Sequence, residues 1–238
     1  MNITYLAEST KDTLVVFFGG FASLPHHFAH LHATTSVVMC YGYQRLDSMQ
    51  ELRTILNTYK NRILIAFSMG VCVAAKLLDS VCFDKAIAIN GTSAGIDDTF
   101  GISNKLFMRT VQSLDVAMFG RMLFGTNSLE SNKPKYLHSN LDFRESTALD
   151  SASSHFCELF APREILLEEL ASLQYFCSCD QNLDFPYTSA LIAREDKIFP
   201  PSACERFFIQ KPNVKIHYLN APHFVFYHFN TWEELCAL

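Results

Sequence analysis

Between positions 14 and 89 four short runs are apolar without a break: Leu14–Phe18, Val37–Tyr41, Ile63–Phe67 and Ala86–Ile89. A half-solvated strand alternates apolar with polar residues, whereas continuous apolar strands of this length suit a sheet covered on both faces. The stretch between the second and third runs has a different period. From Asp47 to Tyr59, residues Met49, Leu52, Ile55, Leu56 and Tyr59 share one helical face, with Asp47 as the expected N-cap and Gln50 three residues on. This predicts a crossover helix between parallel strands. The same grammar resumes at Ser189–Ala193 and Val214–Leu219, followed by a helix that Thr231 and Glu234 open as a capping box. The outer parts of the chain therefore predict one mostly parallel α/β sheet with helices on both faces.

From about residue 95 to 186 the alternation stops and the pattern turns helical. Phe107, Val111, Leu114, Met118 and Met122 fall at one helical spacing, widened by Phe119 and Leu123. The expected organisation is a core of residues 1–94 and 187–238 interrupted by a helical cap, residues 95–186. Its aromatic and Met side chains suit an acyl pocket, but more readily the cap's own core.

Composition narrows the function classes. The chain has 238 residues, 49% of them hydrophobic and 18% charged, which excludes disorder. With 19 Lys and Arg against 24 Asp and Glu the net charge is −5, so nothing calls for nucleic acid. The apolar run Ile63–Ala75 falls short of the roughly 20 residues a membrane span needs. Met1-Asn2-Ile3-Thr4 does not read as a secretory leader, so the eight cysteines are expected to be reduced thiols of a cytoplasmic protein. Cys177-Ser178-Cys179 lacks the spacing of a zinc-ligand pair. His26, His27, His30 and His32 lack a neighbouring acid to complete a metal site and read as core-edge histidines.

The most informative segment is Ala66-Phe67-Ser68-Met69-Gly70, between an apolar strand and the helical stretch Val71–Leu78. A nucleophile on a sharp strand-to-helix turn needs small residues two positions to either side, here Ala66 and Gly70. Two later strands then run into loops bearing Asp196 and His223. The order Ser, acid, His, with the last two beyond the carboxyl ends of late strands, is that of the α/β-hydrolase fold. In this reading His223 takes the Ser68 proton and Asp196 orients the imidazole. Glu195 is the rival acid. The oxyanion hole is expected from the backbone N–H groups of Met69 and of Phe21, which follows Gly19-Gly20 at the end of the first apolar run.

Phe17-Phe18-Gly19-Gly20-Phe21, Ala66-Phe67-Ser68-Met69-Gly70-Val71, Asp196-Lys197-Ile198-Phe199-Pro200 and His223-Phe224 with Phe226, Phe229 and Trp232-Glu233-Glu234-Leu235 resemble the BioG-type pimeloyl-[acyl-carrier-protein] methyl ester esterases. Phe21 and Phe67 stand where that family is expected to carry Trp, and Gly42 where it carries Asp. The resemblance implies a serine carboxylesterase that removes the methyl ester of a pimeloyl chain held on acyl-carrier protein, in biotin synthesis, with no cofactor and no metal. Another serine esterase or an acyl thioesterase would share these residues, and a hydrolase fold used only for binding would share the fold. An acidic carrier conflicts with a net charge of −5. Residues 101–138, however, carry Lys105, Arg109, Arg121, Lys133 and Lys135 against Asp115 and Glu130, a local +3. Arg109 and Arg121 are the candidate carrier-binding residues.

Overall fold

The computed structural model describes residues 1–125, 159–177 and 182–238. Its frame is a seven-stranded sheet: β1 (Asn2–Ala7), β2 (Thr13–Phe18), β3 (Ser36–Tyr41), β4 (Asn61–Phe67), β5 (Lys85–Ile89), β6 (Ser189–Ala193) and β7 (Lys215–Leu219), in spatial order β1-β3-β2-β4-β5-β6-β7. All neighbours run parallel except β1, which pairs antiparallel with β3 through Ile3↔Cys40 and Tyr5↔Val38. Each apolar run became a strand because both its faces are covered: Val15, Val16, Phe17 and Phe18 of β2 are all buried, and Val16 sits between Val38 and Leu64. β1 escaped the sequence reading. Its residues are half-buried or exposed at the sheet edge, so no apolar run marks it.

The helices are α1 (Met49–Leu56), α2 (Met69–Leu77), α3 (Asn104–Gln112), α4 (Val116–Phe124), α5 (Arg163–Cys177), α6 (Pro201–Phe208) and α7 (Trp232–Cys236). α1 starts later than the expected Asp47 cap: Ser48 occupies that position without a side-chain cap, and Asp47 instead lies 3.9 Å from the Met1 amino group. At α7 half of the expected capping box forms. Thr231 accepts the Glu234 N–H, but the Glu234 carboxylate takes the N–H of Asn230 rather than of Thr231.

The single stripe from Phe107 to Met122 is in fact two helices. Ser113 ends α3, and Asp115 accepts the Met118 N–H to cap α4. The break rotates the second helix, so Phe119, Leu123 and Phe124 turn inward and Met118 is left 51% exposed. α2 is buried along its whole first two turns, from Met69 to Ala75, which makes it the central helix of the core. α5 packs on α2 and buries Leu166, Leu170 and Leu173. Under the sheet a cluster of Phe17, Phe28, Phe226 and Trp232, with ring centroids 4.7–6.5 Å apart, ties the last helix to β2.

Candidate active site

Ser68, Asn90, Asp196 and His223, with the Gly19–Phe21 loop, all stand just beyond the carboxyl ends of β2, β4, β5, β6 or β7. That edge is where open parallel sheets gather ligands, because each strand-to-helix loop emerges there. Ser68 joins β4 to α2 with φ 56° and ψ −127°, left-handed backbone that costs a non-glycine residue on the order of 1–3 kcal/mol. The surroundings impose it. The Ser68 N–H donates to the Ile89 carbonyl at 2.8 Å, and its own carbonyl accepts from Val71 at 3.1 Å. Gly70 lets α2 press against β2: a Cβ there would lie 2.3 Å from the Gly19 carbonyl oxygen and 2.6 Å from that of Phe18. Gly20 is as close from the other side, where a Cβ would meet Ser68 Cβ at 2.8 Å.

His223 and Asp196 form a buried pair, Nδ1 to Oδ2 2.6 Å. The other carboxylate oxygen, Oδ1, accepts the N–H groups of Ile198 at 2.8 Å and Phe199 at 2.9 Å. Asp196 can therefore accept the Nδ1–H, which leaves Nε2 free to take a proton. Glu195, the rival acid, is exposed. The ring of Phe67, the residue before Ser68, lies 4.8 Å from the imidazole, while Phe224 and Phe226 close in around Phe67. Among the described residues Ser68 Oγ has no hydrogen-bond partner.

The N–H groups of Phe21 and Met69 also lack acceptors among the described residues, though both residues are buried. Met69 opens α2, so its N–H has no intrahelical partner and lies at the positive end of the helix dipole. Two unpaired donors beside a buried serine and a buried His–Asp pair can stabilise an oxygen that gains negative charge during attack on an acyl group.

α4 closes over this edge. The Phe224 N–H donates to the Leu123 carbonyl at 2.8 Å, and the Phe119 and Phe124 rings contact those of Phe21 and Phe224 at 5.2 and 5.1 Å. Arg109 is exposed on α3 and Arg121 half-buried on α4. Glu130, Lys133 and Lys135 lie outside the described residues, as do Ser178 and Cys179. Of the four clustered histidines, His27 is buried, its Nδ1 accepting from the Leu24 N–H and its Nε2 donating to the Leu159 carbonyl at 2.8 Å. His26 shares the Leu159 carbonyl and His30 bonds to that of Phe226. Among the described residues no group of three or more His, Cys, Asp or Glu is placed to hold a metal.

Two residues that support this edge were missed in the sequence. Asn90, at φ 47°, accepts the Ala193 N–H at 2.7 Å and donates to the His223 carbonyl at 2.6 Å, binding the ends of β5 and β6 to the histidine loop. An Asn-Gly pair directly after a buried strand was its signal. Glu169 falls on the apolar stripe of α5 between Leu166, Leu170 and Leu173, a charge where the pattern demands none.

The profile of one family, described as pimeloyl-ACP methyl esterase BioG, matches residues 1–235. The chain belongs to the BioG family. The crystal structure of selenomethionine BioG from Haemophilus influenzae has a TM-score of 0.77 to it at 25% identity, covering 99% of each chain. A malonyl-[acyl-carrier protein] O-methyltransferase of Bacteroides fragilis is 29% identical over 204 residues; the match takes in 82% of this chain and 36% of that protein, so the chain spans about a third of that relative's length. Bromoperoxidase from Bacillus anthracis, 16% identical with a TM-score of 0.64 over 99% of this chain and 94% of that one, shares the fold. BioG membership and the α/β-hydrolase fold make this chain a hydrolase.

Proposed function

We propose that this chain is a serine carboxylesterase that hydrolyses the methyl ester of a pimeloyl group carried on acyl-carrier protein, in biotin synthesis. The observation that carries the reading is the buried His223–Asp196 pair, 2.6 Å long, on the same sheet edge as a left-handed Ser68. Membership of the BioG family supplies the substrate.

In the reaction Ser68 Oγ attacks the ester carbonyl while His223 Nε2 takes its proton, and the carbonyl oxygen gathers charge beneath the Phe21 and Met69 N–H groups. Collapse breaks the bond to methoxide, which leaves as methanol with the proton from His223. Water then attacks the acyl-enzyme by the same route and releases the free carboxylate with Ser68 restored. No metal or organic cofactor enters either half. The cap role over this site goes to residues 95–186, of which 126–158 and 178–181 lie outside the described residues, and Arg109 and Arg121 face the acidic carrier. The reaction is assigned to the cytoplasm, in keeping with the free thiols of Cys40, Cys72, Cys82, Cys204 and Cys236.

The test is methanol release from methyl pimeloyl-carrier by the wild type and by Ser68→Ala, alongside labelling by a fluorophosphonate. Release and labelling that both vanish in Ser68→Ala are expected. A wild type that leaves the methyl ester intact yet cleaves the carrier thioester would transfer the assignment to a thioesterase.

A further inference from the structure

Two carboxylates are buried among the described residues: Asp196, which holds His223, and Glu169, 2% exposed, which the mechanism does not use. Glu169 reaches from α5 to the far side of the loop that ends β2. Its Oε2 accepts the Ala22 N–H at 3.3 Å and its Oε1 the Tyr43 N–H at 3.2 Å. Tyr43 is itself fully buried, and its hydroxyl donates to the Gly19 carbonyl at 2.6 Å and lies 3.2 Å from that of Cys40. The Gly19 N–H completes the circuit by donating to Cys40 at 2.9 Å. Gly19 and Ala22 are thus both held by one carboxylate–tyrosine unit, and the two residues between them are Gly20, packed against Ser68, and Phe21.

The geometry is costly, which argues for a purpose. Ala22 has φ 61°, a left-handed conformation that alanine disfavours. Burial pushes the Glu169 carboxyl up to about 7, with the two backbone N–H bonds opposing the shift. A buried acid used only to fill space is worse than an apolar residue there. What it supplies is two acceptor oxygens on one rigid group, each aimed at a separate backbone donor.

We infer that Glu169, together with Tyr43, is a positioning unit that sets the direction of the Phe21 N–H toward the reacting oxygen. The inference rests on the esterase reading above. Neither residue touches the reacting atoms; they act through the loop.

The experiment compares kcat/KM for a small aryl ester with that for its thiono counterpart, in which sulfur replaces the carbonyl oxygen. Sulfur is the weaker hydrogen-bond acceptor, so an enzyme that relies on well-aimed donors loses much on this exchange, and one with a misdirected donor has less left to lose. Glu169→Gln keeps the shape but turns an NH2 group on one of the two backbone donors. Its rate on the oxygen ester is expected to fall about 10- to 100-fold, and its oxygen-to-sulfur ratio at least fivefold below that of the wild type. Tyr43→Phe, which loses only the hydroxyl on Gly19, is expected to shift the ratio the same way and serves if Glu169→Gln does not fold. A slower variant with an unchanged ratio would mean a merely structural role and overturn the inference while the esterase reading stands. A wild type inert to both esters and to fluorophosphonate would overturn both.

Discussion

Asp196→Asn tests the site through a single atom exchange. Oδ1 is committed to two backbone donors, Ile198 at 2.8 Å and Phe199 at 2.9 Å, and Oδ2 to His223 Nδ1 at 2.6 Å. In the variant the amide oxygen must stay on the two N–H groups, which puts the NH2 group against Nδ1. Nδ1 then has to accept, the ring proton moves to Nε2, and the histidine presents a donor to Ser68 where a base is needed. Turning the amide round restores the tautomer only by facing NH2 toward two buried N–H groups. At about 1–3 kcal/mol for each unsatisfied donor, that costs about 2–6 kcal/mol. With about 1.4 kcal/mol per factor of ten in rate, kcat is expected to drop between about 30-fold and about 10⁴-fold. The equivalent exchange in a serine-protease triad costs about 10⁴. The assay is steady-state hydrolysis of a soluble methyl or aryl ester, with Glu195→Gln as the control on the exposed neighbouring acid, expected within about twofold of wild type. An Asp196→Asn enzyme that keeps more than a tenth of wild-type kcat, or a Glu195→Gln enzyme that loses more, would refute the assignment.

Gly70→Ala should damage fold and activity together, because its Cβ would lie 2.3 Å from the Gly19 carbonyl oxygen and α2 would have to retreat from β2. A loss of about 1–3 kcal/mol in urea unfolding is expected, with fluorophosphonate labelling of Ser68 much reduced. His27 couples stability to pH: burial lowers its pKa from 6.5 to about 4. The unfolded chain therefore takes up the proton first, and the contribution of His27, whole above pH 6.5, is lost as pH falls toward 4. Denaturant titrations at pH 7 and 4.5 should give a wild-type loss about 2–3 kcal/mol larger than that of His27→Gln; equal losses would contradict the burial of this ring. Reversing charge at Arg109 and Arg121 should lower kcat/KM about tenfold on carrier-bound substrate at low salt and leave free methyl pimelate unaffected. Equal rates on the carrier would remove these arginines from the docking face.

Much of the frame was legible in the order of residues. Four of the strands, β2 to β5, announce themselves by unbroken apolar runs, because a strand covered on both faces has no polar side to show, whereas β7 carries Lys215 and His217 and is only partly covered. Ser68 between Ala66 and Gly70 is equally legible, since the steric demands of that turn are local. Distance in space could not be read this way. β1 pairs at the edge of a sheet assembled from distant segments, and its own residues carry no apolar run. The break at Ser113–Asp115 depends on an aspartate capping a new helix within a stripe whose spacing is continuous. The tertiary structure pairs His223 with Asp196, the acid the sequence favoured, by turning it inward and its neighbour Glu195 to solvent. It alone explains Glu169, a charge on an apolar stripe whose two donors lie more than a hundred positions away in the chain. Side-chain type and short-range spacing fix local conformation; buried polar groups are satisfied by whatever the fold brings to them, and that pairing is a property of the packed molecule.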